Sequence, residues 1–298
     1  VDMVMAVDGD MKDFQQGLKK GIENGEVPIE RINDAVRRIL RQKIRLGLFQ
    51  HPFPDTTLRT KIGSKKHRDK ARQAVRESLV LLKNKNNILP ISPEVKKIVV
   101  VGEHANNAGL QSGGWTIRWQ GVKETYQGAT TILNGIKNTA NCEVLYDQNG
   151  KQKCYDADVA IIVVGEYPYA EFFGDIGDER GNCELTLPKE QQEYINEYAD
   201  QGIKTIIILI SGRPLMVTKE IEKSDAFVAA WLPGSEGDGI AEVLFGKYNF
   251  SGKLPHSWPA SIEDFEGKYG PNFWDKSCDP LFRIGYGLQY EKQNLKSN

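Results

Sequence analysis

ADVAIIVVGE, residues 157–166, is the stretch on which the fold turns. From Ala157 to Gly165 only Asp158 is polar, so the apolar–polar alternation of a strand with one wet face is missing. An unbroken run of branched apolar residues fits a strand buried on both faces, which is the condition of strands in a parallel sheet. KIVVVGE (97–103), CEVLYD (142–147), KTIIILISG (204–212) and AFVAAWLPG (226–234) extend the series. Helical stretches near Ala129 to Lys137, Lys189 to Ala199 and Gly239 to Phe245 separate the later members. Strand, crossover helix and strand in succession predict an α/β fold with a doubly wound, mostly parallel sheet sandwiched by helices. Function in such sheets gathers in the loops beyond the carboxyl ends of the strands.

Toward the amino terminus, VDMVMAV (1–7) is interrupted only by Asp2 and predicts a further doubly buried strand. A helix is expected over about 10–24. Pro28 opens a second one, with Ile32, Ala35, Ile39, Ile44 and Leu46 at helical spacing. That is one strand and its helices without the sheet they need. Residues 51–64 read as a connector, and KHRDKARQAVRESLVLLKN (66–84) predicts a helix with Ala71, Ala74, Val75, Leu79 and Leu82 on one face. The organisation expected is therefore 1–50, a linker with an anchoring helix over 51–95, and a sheet domain over 96–298. A first residue of Val1 rather than Met predicts a fragment or a processed chain.

Composition narrows the function classes. With a formal net charge of -1 the chain has no basic field to attract nucleic acid or an anionic membrane, so neither partner is expected. Its longest apolar runs, Ile206–Ile210 and Val159–Val164, are too short to span a bilayer, and no targeting segment is read at the start. Cys142, Cys154, Cys183 and Cys278 form no C-x-x-C and no disulfide framework, although Cys142 and Cys154 are near enough in sequence to bridge. His51, His67, His104 and His256 are scattered without H-E-x-x-H, so no metal is expected. After Gly102 come Glu103, His104, Ala105 and Asn106, which is not the G-x-G-x-x-G of a dinucleotide site. In LPGSEGDG (232–239) Glu236 and Asp238 would repel a phosphate. No cofactor is predicted.

Two loops carry unusual chemistry. SGGWTIRWQG (112–121) sets Trp115 and Trp119 among glycines, and GEYPYAEFFGDIGDERG (165–181) mixes Tyr167, Tyr169, Phe172 and Phe173 with Glu166, Glu171, Asp175, Asp178 and Glu179. Aromatic rings stack on the apolar faces of a pyranose, and a carboxyl buried against them has its pKa raised toward that of a general acid. The plain alternative is a set of solvated loop carboxylates.

SGGWTIRWQG, GEYPYAEFFGD, SGRP (211–214), AAWLPGSEGDGIAEVLFG (229–246), GKLPHSW (252–258) and DPLFRIGYGL (279–288) occur in this order. The set resembles the C-terminal half of glycoside hydrolase family 3, the β-glucosidases and exo-β-glucanases, and the first two motifs look most like the plant exo-β-glucanase branch. VDMVM resembles the last strand of that family's (β/α)8 barrel, and ESLVLLKN (77–84) its linker helix. The resemblance implies a retaining mechanism on terminal β-D-glucosyl bonds of β-glucosides or β-glucan oligosaccharides. An Asp nucleophile would come from a barrel strand in a Ser-Asp-Trp-like motif, and the general acid/base from the second domain. Matched to GEYPYAE, that acid/base is Glu171. Trp119 matches an aromatic of the entrance subsite, which a companion Trp from the barrel faces across the sugar. Trp115 and Arg118 share the substrate-binding loop, Trp115 either as packing support or as contact surface. Arg118 stands where the plant branch has Glu, which puts linkage preference in question.

Ser-Asp-Trp does not occur, and the Ser-Asp pair at Ser224–Asp225 lies ahead of a strand. Half an active site is therefore expected, inactive alone and partnered by an N-terminal barrel half that carries the nucleophile. Family resemblance favours a secreted or periplasmic location. The alternative is a non-catalytic carbohydrate-binding or interface module derived from the same fold.

Overall fold

In a computed structural model, residues 1–7, 9–176, 184–262 and 280–291 are described. Asp178, Glu179, Cys183 and Cys278 lie outside these residues. Among the described residues six strands form one sheet: β1 (Val80–Asn84), β2 (Lys97–Val101), β3 (Glu143–Asp147), β4 (Val159–Gly165), β5 (Lys204–Ile210) and β6 (Ala226–Trp231). Their order is β1-β6-β5-β4-β2-β3, with β1 antiparallel to β6 and every other pair parallel. All five strands expected of the sheet domain are present.

Each residue of β4 is buried, as the unbroken apolar run requires. Alternate side chains feed two cores. One face presents Ile98, Val100, Ile161, Val163, Ile206 and Ile208 to α3 (Lys65–Ser78), α4 (Ile132–Thr139) and α7 (Gly237–Leu244), through Val75, Ile136 and Ile240 among others. The opposite face presents Val99, Val101, Ile162, Val164, Ile207 and Leu209 to α5 (Lys189–Asp200) and the short α6 (Thr218–Lys223), through Ile195, Tyr198 and Ile221. Burying a side chain of this size contributes about 1.5–3 kcal/mol. That explains why a sheet with two dry faces can hold long polar loops at its rim.

Two expectations are corrected. The helix predicted to run through Leu82 ends at Ser78, and the next residues form β1. Leu79, Val80, Leu81 and Leu82 are all at most 1% exposed. Four consecutive residues on a helix would point around its whole circumference, whereas a strand sends Leu81 into one core and Val80 and Leu82 into the other. β1 also covers the outer edge of β6. The second correction is that Val1–Val7 forms no strand and is almost wholly exposed, Met5 at 92%. A parallel strand needs neighbours to take its backbone hydrogen bonds. The described residues of its unit contain none.

That unit is compact in itself and spans Val1–Ile62, and a second unit spans Gly63–Asn298. The first consists of α1 (Asp10–Glu23) and α2 (Ile29–Arg45), with Asp2 bound to Arg31 at 2.8 Å. α2 is amphipathic yet has no buried residue, so Val36, Leu40 and Ile44 form an exposed stripe. Cys142 and Cys154 are both free thiols. They flank β3 at opposite ends and pack against opposite cores, which keeps them apart.

Candidate active site

The chain leaves β2 for β3 on one side and then returns to place β4 on the other, so the strand order reverses at β2. The loops that follow β2 and β4 flank this switch point, the usual position of a site in an open α/β sheet. They are the two loops with the aromatic residues.

Glycine brings them into contact. A Cβ on Gly114 would fall 2.1 Å from the Tyr169 carbonyl oxygen, and one on Gly121 (φ 77°) would fall 2.6 Å from Pro168 Cβ. No side chain fits where the two backbones touch. Gln120 completes the junction by accepting from the Ala170 N–H at 2.7 Å. The tip is a tight reversal in which Trp115 N–H donates to the Trp119 carbonyl at 2.9 Å. Trp115, Ile117 and, in the opposite loop, Phe172 all have positive φ, at 60°, 66° and 71°. Bulky residues in the left-handed region cost of order 1–3 kcal/mol each and persist where the surroundings over-determine them.

At the junction Trp119 donates its indole N–H to Glu171 Oε2 at 2.5 Å. Its ring stands edge-on to Phe172 and Phe173, at 6.3 and 6.4 Å between centroids. Two residues singled out from sequence, 52 positions apart, thus form one pair. The indole hydrogen bond holds the Glu171 carboxyl below its ordinary value of 4.5, with Trp115 adding a smaller effect of the same sign. This reverses the expectation of a raised pKa. Glu171 is exposed rather than enclosed, so a donor that favours the carboxylate outweighs the slight desolvation. Trp115 is 69% exposed and Trp119 44%, so Trp115 is surface and not core packing. Arg118 is exposed beside them, and among the described residues its guanidinium has no ion-pair partner.

Glu166 has a different environment. It is 7% exposed and paired with Arg213, whose Nη2 and Nε lie 2.8 and 3.1 Å from Oε1. Its backbone carbonyl faces His104 Nε2 at 3.1 Å, and burial pushes the His104 pKa down, which favours the neutral ring. Asp175 is exposed. Glu236, read as a phosphate-repelling loop residue, is buried and bound to Arg68 at 2.6 Å, tying α7 to α3.

Sequence reasoning passed over Gln111 and Arg213. Gln111 is fully buried and ties the tryptophan loop to its neighbours, donating to the Gly234 carbonyl at 3.1 Å and accepting from Ile132 N–H at 3.0 Å. Arg213 lay within the SGRP motif, where a cation just after an apolar strand was the available signal. A cavity of about 160 Å³ remains beneath the loops, lined by Leu110, Gly113, Tyr169, Gly212 and Leu232 among others.

Residues 79–290 match the model of the glycosyl hydrolase family 3 C-terminal domain. The chain belongs to glycosyl hydrolase family 3. It is 32% identical to a lysosomal beta glucosidase from Dictyostelium discoideum, over 93% of this chain and 36% of that protein. A periplasmic beta-glucosidase from Salmonella typhimurium is 31% identical over 97% of this chain and 44% of its own length. The solved structure of an exo-1,3/1,4-beta-glucanase from a Pseudoalteromonas species superposes with a TM-score of 0.82 at 38% identity, covering all of this chain and 38% of that one. This family 3 chain therefore spans between about a third and a half of the length of the relatives it matches. The α/β sheet described above is the family's C-terminal domain fold. Among the described residues no helix is long and apolar enough to cross a membrane.

Proposed function

We propose that this chain is the acid/base-bearing part of a retaining β-glucosidase or exo-β-glucanase, acting on terminal β-D-glucosyl bonds, with Glu171 as the proton donor and acceptor. The observation that carries the reading is the Trp119–Glu171 pair, a carboxyl on an exposed loop tip at the switch point, oriented by an aromatic ring. In the first step Glu171 gives its proton to the glycosidic oxygen while an Asp from a barrel half attacks the anomeric carbon. In the second, the Glu171 carboxylate takes a proton from the water that releases the sugar. The lowered pKa of the open site suits the second role. Closure against a barrel half removes water and brings a second carboxylate within about 5–5.5 Å, and both effects raise the pKa to suit the first.

Trp119 then lines the sugar subsite, with Trp115 and Arg118 at its rim. Residues 1–50 are the end of the (β/α)8 barrel, whose strand at 1–7 forms when its neighbours are present. Likeness to periplasmic and lysosomal enzymes supports a secreted-type location. The exposed Trp115, Ile117 and Phe172 also suit a non-catalytic carbohydrate-binding or interface module, so the decisive experiment separates binding from chemistry.

In the assembly of this chain with its barrel half, Glu171→Ala should lose about 10²–10⁴-fold in kcat on cellobiose-type substrates. An aryl glucoside that needs no proton on leaving should still glycosylate the enzyme, and azide should accelerate the second step and yield a β-glycosyl azide. This chain alone should not hydrolyse the aryl glucoside. Unchanged cellobiose hydrolysis by Glu171→Ala would overturn the assignment, and loss of sugar binding with no turnover in any variant would favour the module.

A further inference from the structure

The loop that carries Glu171 leaves the sheet at Glu166, the residue after β4, and is clamped at both ends by one side chain from β5's carboxyl end. Arg213 holds the Glu166 carboxylate through Nε and Nη2, at 3.1 and 2.8 Å, and its Nη1 donates to the Gly174 carbonyl. Its guanidinium stacks on the Tyr169 ring at 4.5 Å, and Tyr169 O–H donates to Glu166 Oε2 at 3.3 Å. Gly174 lies against that ring so closely that a Cβ there would fall 2.3 Å from Tyr169 Cδ2. Arg213 is itself anchored, because the Ser211 hydroxyl donates to its carbonyl at 2.7 Å, and its side chain is only 19% exposed. Glu166 N–H donates to the Ile210 carbonyl at 3.1 Å, so the whole clamp is built on the paired ends of β4 and β5.

We propose that Arg213 is a positioning residue for the acid/base, bridging Glu166 and Gly174 so that the loop between them presents Glu171 to Trp119 and to the glycosidic oxygen. The inference rests on Glu171 being the acid/base. Arg213 touches neither Glu171 nor the reacting atoms, and acts by fixing the span on which Glu171 rides. A planar fork is needed, because one point charge cannot serve a carboxylate and a carbonyl on two sides while stacking on a ring. Misplacing a reacting group by about 1 Å can lower a rate by about 10²-fold.

The test is leaving-group dependence in the assembled enzyme. Arg213→Met should cut kcat on cellobiose-type substrates by about 10²-fold and change glycosylation by an activated aryl glucoside far less, since only the former needs a well-placed proton. Arg213→Lys should fall between Arg213→Met and wild type. Combined with Glu171→Ala, Arg213→Met should cause little further loss on the cellobiose-type substrate, because both changes act through one proton transfer. Removing Arg213 alone takes the guanidinium away from the buried Glu166 carboxylate, so Glu166→Gln/Arg213→Met is made alongside it and is read instead if the single variant fails to fold.

A structural role alone scales turnover with the folded fraction and lowers both substrates equally. That result, or a fully additive double variant, overturns the proposal. If Glu171→Ala is selective for leaving group and the Arg213 variants are not, only this inference falls. If Glu171→Ala is itself not selective, the acid/base reading falls and the inference goes with it.

Discussion

Gly114→Ala tests whether the close approach of the two loops makes the site. A Cβ at this position would lie 2.1 Å from the Tyr169 carbonyl oxygen, 2.8 Å from its carbon and 3.2 Å from Ala170 Cβ. Carbon–oxygen contacts settle near about 3.3 Å, so the loops must part by about 1 Å. The obstacle is backbone on both sides, and no flexible side chain can swing away. Overpacking of this kind costs about 1–3 kcal/mol in stability. The larger effect falls on Glu171, which lies two residues beyond Tyr169 and meets Trp119 across the same junction. A displacement of about 1 Å should lower kcat on a cellobiose-type substrate by roughly 10²-fold in the assembled enzyme. The assay pairs steady-state kinetics with thermal melting, and Gly17→Ala is the control. Gly17 is within α1 with nothing inside 4 Å of an added Cβ, so alanine there should stabilise the helix by up to about 1 kcal/mol. Wild-type kinetics and melting for Gly114→Ala would refute the idea that close loop contact sets the position of Glu171.

Acid titration of tryptophan emission should show a step with its midpoint below 4.5, absent in Glu171→Gln, as Glu171 is protonated and its charge-assisted hydrogen bond from Trp119 weakens. Because the folded pKa is depressed, the stabilisation from this contact is present above the unfolded value and is lost as pH falls through the folded one; a step above 4.5 would contradict the hydrogen bond. Leu81→Ala, in the strand that replaces the predicted helix, should cost about 2–5 kcal/mol in urea unfolding because Leu81 is fully buried and pairs with Val228 across to β6. A loss below about 1 kcal/mol would indicate that β1 is not docked on the sheet.

Strands β2 to β6 and their parallel arrangement were legible in the sequence, because β4, β5 and β6 need apolar residues on both faces and such runs have few other uses. The candidate site was legible in part for a related reason: glycines and aromatics concentrated directly after two of those strands mark loops with more than a connecting role. Local pattern did not distinguish a helix from a strand at Leu79–Leu82, where a continuous apolar run fits either until β6 offers an open edge. Nor did it separate Glu166 from Glu171. Both are loop glutamates a few positions apart beside tyrosines and phenylalanines. Only the fold brings Arg213 from the end of β5 to neutralise one, and Trp119 from the loop after β2 to orient the other. The environment of each carboxylate follows from partners that are 47 and 52 residues distant, and those partners are chosen by the order of strands in the sheet rather than by neighbours in the chain.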